Sequence, residues 1–308
     1  MHQSTRPPLR APLVLVLALI GISFAGPLVR LSTAHPLTIA IWRLAFSLVI
    51  IAGFLIATGG WRQWRKLDAR GVAIAVGAGA MLALHFWTWN ASIGLTTVAA
   101  SVVLVNLQPA IVAVLSVVWL REPPSRQQWL GIAIAMAGAL VIALPDFTSA
   151  TGSLLSSRAL LGDLLAFLGA ITAAIYFVIG RRLRATLDLW PYVSLVYGSC
   201  LVVLIGLAMA VDAPVMGQPP RELMIFAALA IGPMLFGHTG LNWALKYLPA
   251  YVVNLTLLGE PVGATIIAAL LPGIREIPTM VTLAGGALIL AGIYVTARKP
   301  ALVPAAAD

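Results

Sequence analysis

The sequence predicts an all-α polytopic membrane protein whose ten transmembrane helices form two inverted five-helix repeats. Three observations lead there. Of 308 residues, 61% are hydrophobic and only 9% charged, where a soluble domain carries roughly a quarter charged. Apolar runs of bilayer-spanning length recur along the whole chain. The second half then repeats landmarks of the first about 153 positions later.

The ten spans are read at 11–30, 37–58, 71–94, 97–120, 127–144, 160–180, 189–211, 222–245, 250–270 and 278–296. The first follows a basic stretch, MHQSTRPPLR, in the manner of a signal peptide. Its apolar run continues and many spans come after it, so it reads as a retained helix. Most connections are short. The longest, PDFTSATGSLLSSR at 145–158, is rich in Ser, Thr and Gly and reads as a linker. The expected division is a first repeat at 1–144, a linker at 145–159, a second repeat at 160–298 and a disordered cytoplasmic tail at 299–308.

The net charge of +9 would suit nucleic acid, but the basic residues sit in short loops, where they set topology. Of the 19 Lys and Arg, 14 fall on the side of the termini and four on the other, and Arg43 lies inside a span. The positive-inside rule then puts both termini in the cytoplasm, the inner (plasma) membrane being the expected location. No nucleic-acid partner is expected. Trp61, Trp64, Trp119, Trp129 and Trp190 stand at span ends, where amphipathic rings anchor at headgroup level. The one cysteine, Cys200, lies within an apolar span and reads as a small core residue.

The fourth span carries the most informative interruption. VAASVVLVNLQPAIVAVLSVVWL (98–120) holds no charge, yet it contains Asn106, Gln108 and Pro109. Pro109 removes the hydrogen bond to the Val105 carbonyl, and two amides beside that defect need partners or water. The ninth span repeats the idea with Glu260 and Pro261. Elsewhere Arg121, Glu122, Pro124, Gly131 and Gly138 match Arg275, Glu276, Pro278, Gly285 and Gly292, and His85 matches His238. Five spans is an odd number, so the second repeat must enter the membrane upside down. Inverted repeats, with substrate held between them and broken helices at the site, are a transporter pattern.

These residues also resemble a known family. WRLAF (42–46), HFWTWNASIGLTTVAASVVLVNLQPAIVAVLSVVWLREPPSRQQWLG (85–131) and LGEPVGATIIAALL…GIREIP…GGALILAGIYV are similar to the drug/metabolite transporter superfamily in its EamA-type ten-helix branch. The resemblance covers nearly the whole chain and implies a ten-helix exporter of small metabolites. Aromatic amino acid exporters are the preferred analogy within it.

Ionisable groups inside spans are functional candidates. Arg43 lies roughly 10 Å from the extracytoplasmic end of its span, at about 1.5 Å per residue. It either snorkels outward as a structural group or pairs with a substrate carboxylate. Glu260 either exchanges a proton, holds a substrate ammonium, or hydrogen-bonds a carbonyl freed by Pro261. His85 and His238 occupy matching positions, with Trp89 and Asn242 one turn on; they either satisfy the core or line a shared cavity. Asn106, Gln108, Tyr176 and Asn254 complete the expected substrate-binding set. Pro27, Pro109, Pro233 and Pro261 are the expected hinges. No metal site or cofactor is expected, since neither histidine has a second ligand at helical spacing. The stripes Gly71, Ala75, Gly79 and Gly131, Ala135, Ala139 suit packing within the chain, and a monomer or weak homodimer is expected.

The resulting expectation is a secondary exporter of small metabolites, most simply neutral or aromatic amino acids, working by alternating access. The lipid bilayer and a small-molecule substrate are its partners, with protons as a candidate coupling ion. Exporters of nucleotide-sugar-like or cationic compounds are the alternative. An enzyme is not expected: the chain has no HExxH, no GxSxG and no paired intramembrane aspartates.

Overall fold

A computed structural model describes residues 8, 10–93, 95–96, 101, 104–149, 157–270 and 278–298. Within them stand ten apolar helical segments, here numbered as spans: 1 (Ala11–Leu31), 2 (Pro36–Ala57), 3 (Ala69–Ser92), 4 (Gln108–Leu120), 5 (Arg126–Ile142), 6 (Arg158–Leu183), 7 (Leu189–Ala210), 8 (Pro220–Ala244), 9 (Ala250–Ile267) and 10 (Met280–Ala297). Helices are the only open-ended answer in hydrocarbon, because each backbone donor and acceptor must be satisfied within its own segment. Local chemistry marks some starts. Pro36 opens span 2, where its missing N–H is one no helix start can pair, and the His35 ring accepts from the Leu37 amide at 3.3 Å. Thr279 accepts from the Thr282 amide at 3.2 Å to start span 10.

Besides the break ahead of span 4, three spans bend where proline leads one to expect it. Span 1 divides at Phe24 into Ala11–Ser23 and Ala25–Leu31, since Pro27 cannot donate back to Ser23. Span 8 widens into a π-helix over Ala230–Thr239, with Pro233 inside it. Span 9 breaks into Ala250–Leu257 and Glu260–Leu270. At the other end of the first repeat, the helix of span 5 runs on to Ser149, into the stretch read as linker.

The packing is reciprocal. Span 3 lies against spans 6 and 7, and span 8 against spans 1 and 2; span 4 touches 6 and span 9 touches 1. Spans 2 and 7, 4 and 9, and 5 and 10 pair with each other. Exchanging each span with the one five later maps this set onto itself. With five spans per repeat, the two-fold relating them lies in the membrane plane. The fold is therefore ten transmembrane helices in two inverted repeats.

Spans 5 and 10 meet through glycine. A β-carbon at Gly131 would lie 2.6 Å from the Gly292 carbonyl oxygen, and one at Gly138 would lie 2.6 Å from that of Gly285. The small-residue stripes thus serve close approach inside the chain: Gly79 likewise sits where a β-carbon would come within 2.5 Å of the Val196 oxygen in span 7. Gly292→Leu should separate spans 5 and 10, because the obstructing atoms are backbone and cannot rotate away. Overpacking of this kind costs about 1–3 kcal/mol or more. Thermal unfolding in detergent should show a midpoint lower by about 5 °C or more, and an unchanged midpoint would refute the close contact.

Two polar clusters join the repeats at opposite faces of the bundle. On the face shared by the termini, Arg181 at the end of span 6 donates from Nη2 and Nε to Glu122 Oε1, at 2.7 and 3.0 Å. The same guanidinium donates from Nη1 to the carbonyls of Leu245 and Lys246, at 2.7 and 3.2 Å. On the opposite face Glu222 accepts from the Ser32 hydroxyl and from the Thr33 amide and hydroxyl, both at 3.2 Å.

Candidate functional site

The two helix breaks face each other in the middle of the bundle. Immediately before span 4, a turn at Asn106 and Leu107 separates helical residues 104–105 from the helix that opens at Gln108 and Pro109. In span 9 the turn at Leu258 and Gly259 does the same before Glu260 and Pro261. Each proline falls in the first turn of the helix that follows, where its missing donor leaves the preceding half-helix one bond short. Gln108 donates from Nε2 to Asn254 Oδ1, and Asn254 donates to the Ala250 carbonyl at 3.0 Å. That amide chain ties span 4 to span 9 across the repeat axis.

Between the breaks lies a cavity of about 60 Å³ lined by Arg43, His85, Trp89, Asn106, Gln108, Pro109, Tyr176, His238 and Glu260, all singled out from sequence. Ile22, Ala25, Leu82, Phe86, Val105, Ala173, Phe177 and Leu257 complete its wall. The volume accommodates a few waters, so a metabolite requires the wall to move. His85 contacts the Gly169 carbonyl at 3.0 Å through Nδ1 and lies parallel to Trp89 at 6.2 Å. His238 meets Phe86 edge-on at 5.5 Å. Several buried polar atoms have no hydrogen-bond partner: Arg43 Nε and Nη2, Trp89 Nε1, and His238 Nδ1. Such orphans are few in native proteins and call for an explanation; four of them fall on residues of this one wall.

Other expected residues stand outside the wall. Asn242 lies behind it, donating to the Tyr176 and Tyr197 hydroxyls and, at 2.8 Å, to the His238 carbonyl. It orients two lining groups instead of lining the cavity itself. Asn254 likewise supports Gln108 from behind. Pro27 and Pro233 lie in bent segments away from the wall, and Pro261 sits one residue beyond Glu260. Phe86 and Phe177 are the aromatic lining groups that helical spacing did not mark. Phe86 follows His85 directly and reads as one more apolar residue. Among the described residues no three of His, Cys, Asp and Glu stand together as a metal site would need.

Ten spans in two inverted repeats, each contributing a broken helix to a buried central cavity, define a membrane transporter. The chain belongs to the EamA-like transporter family of the drug/metabolite transporter superfamily, which it matches over residues 9–144 and 160–298. It is similar to the uncharacterized transporter YdfC of Bacillus subtilis, with 28% identity over 92% of this chain and 89% of that one. It is also similar to an uncharacterized transporter of Archaeoglobus fulgidus, with 26% identity over 93% of this chain and 98% of that one. A solved crystal structure shares the fold with a TM-score of 0.75 at 19% identity, covering 92% of this chain and 95% of its own. The protein moves solutes and is not an enzyme.

Proposed function

We propose that the protein is a secondary exporter of amino acids, neutral or aromatic, working by alternating access of its two repeats around the central cavity. The supporting observation is the cavity's composition: one buried arginine, one glutamate, two histidines and an aromatic wall of Phe86, Trp89, Tyr176 and Phe177. Opposite charges within an apolar and aromatic enclosure suit a zwitterion with an apolar side chain. In this reading the lining residues Arg43, His85, Trp89, Asn106, Gln108, Tyr176, His238 and Glu260 contact the substrate. Asn242 and Asn254 brace them, and the proline breaks act as hinges. The excess of basic residues on the terminal face supports an inner-membrane location with both termini cytoplasmic. Glu260 is the candidate proton carrier.

The test is uptake into proteoliposomes of labelled amino acids, nucleotide sugars and cationic drugs, with and without an imposed pH gradient. Amino acid flux that the gradient accelerates is the expected result, and Glu260→Gln should abolish the acceleration. Flux of a nucleotide sugar or a cation alone would replace the proposed substrate. Acceleration that survives Glu260→Gln would move the coupling to another group.

A further inference from the structure

We propose that the Nε–Nη2 edge of Arg43, held in place by the ring of Phe86, is the carboxylate receptor of the transported solute. The inference rests on the cavity being an amino acid site and assigns the atoms that read one end of the molecule. Arg43 is 3% exposed, and its contact with Phe86 places the guanidinium carbon 4.5 Å from the ring centroid. A cation this close to a ring is attracted to the ring's face, and the contact limits where the guanidinium can go. Nε and Nη2 are both buried without a partner, and they are adjacent on one edge of the guanidinium. That edge is the fork that grips a carboxylate with two parallel hydrogen bonds. A buried cation without its own anion is costly at this depth, and a docking carboxylate would relieve it.

Phe86 is a positioning residue in this arrangement. It is 2% exposed and is fixed by rings on two sides, His85 at 5.4 Å and His238 edge-on at 5.5 Å. Glu260 lines the same cavity from the other repeat, and the two charged groups form no salt bridge with each other. The first repeat therefore offers the positive group and the second the negative one, so a zwitterion would enter with a defined polarity.

The experiment measures ligand-induced thermal stabilisation of the full-length protein in detergent. The probes are phenylalanine, its methyl ester, phenethylamine and 3-phenyllactate, with the corresponding leucine series. Wild type should bind the amino acid at least tenfold more tightly than the ester or the amine, the loss expected when charge-assisted hydrogen bonds disappear. Arg43→Lys keeps the charge and loses the fork, so it should bind the acid at least tenfold more weakly and discriminate little. Phe86→Leu should weaken binding of the acid about tenfold in the same assay and change ester binding far less, and Phe86→Tyr should restore the acid's advantage. An ester or amine that binds wild type as well as the acid overturns the proposal. So does discrimination that persists in Arg43→Lys; if that variant does not fold, the wild-type series decides alone. If 3-phenyllactate binds as well as phenylalanine, the receptor stands and the amino acid reading falls. If none of the probes binds wild type, both fall.

Discussion

Arg181→Ala should destabilise the protein by about 3–5 kcal/mol, the range for removing one partner of a buried ion pair. The two side chains are only 9% and 11% exposed, so Glu122 would be left with its charge and little water. The carbonyls of Leu245 and Lys246 would lose their donor at the same time. Arg181→Lys should cost less, because one ammonium can keep the Glu122 contact but cannot reach three acceptors in a plane. Glu122→Gln should fall between, retaining an acceptor without the charge. A double-mutant cycle of Glu122→Ala and Arg181→Ala, read by unfolding in mixed micelles, should give a coupling energy well above the usual surface value of about 0–1 kcal/mol. An Arg181→Ala variant within about 1 kcal/mol of wild type would show that the cluster is solvated and weak. The pair also joins the first repeat to the second, so relative motion of the repeats on this face has to break or carry it.

Glu222→Ala should have the second largest effect, about 3 kcal/mol, on the opposite face. The Glu222 side chain is 3% exposed and accepts from Ser32, from Thr33 twice, and from Arg221 at 3.2 Å. Hydrogen bonds to a charged acceptor contribute about 1.5–3 kcal/mol each, and orphaned donors add a penalty. Arg221 also donates to the Leu31 carbonyl at 2.8 Å, which partly preserves the contact. That second tether sets the expected loss below the sum of four bonds. Glu222→Gln should recover half or more, since one amide oxygen still accepts from the Thr33 amide. Hydrogen exchange at Thr33 is the specific readout: its protection should collapse in the alanine variant and persist in the glutamine one. Unchanged protection in Glu222→Ala would mean that the turn between spans 1 and 2 holds itself.

Much of this architecture was legible because the decisive residues are chemically conspicuous in an apolar background. Pro109 and Pro261 announce helix breaks through a missing N–H, and the structure breaks both helices within three residues of them. Arg43 stands out as an arginine well away from either end of its span and is found buried in the cavity. Glycines at matching repeat positions were conspicuous, but that they meet in one seam of spans 5 and 10 comes only from the fold. Phe86 was not legible. An aromatic among Leu, Ala and Trp carries no mark of what its face supports, and only the tertiary fold brings Arg43 over it. Asn242 and Asn254 show the same limit from the other side. Helical period put Asn242 on the face of His238, but whether such an amide meets the cavity or the hydroxyls behind it depends on spans far away in sequence. The extension of span 5 to Ser149 was hidden because Ser and Thr disfavour a helix only weakly.

The seam of spans 5 and 10 has a consequence for how such a protein is assembled. Gly131 faces Gly292 and Gly138 faces Gly285, while Gly131 and Gly285, like Gly138 and Gly292, are repeat mates. Each patch therefore meets the counterpart of its own neighbour, which is the rule of an isologous homodimer interface. The covalent chain behaves here as a fused dimer. A single five-helix half bearing this surface is self-complementary, and its natural partner is a second copy of itself inserted the other way up.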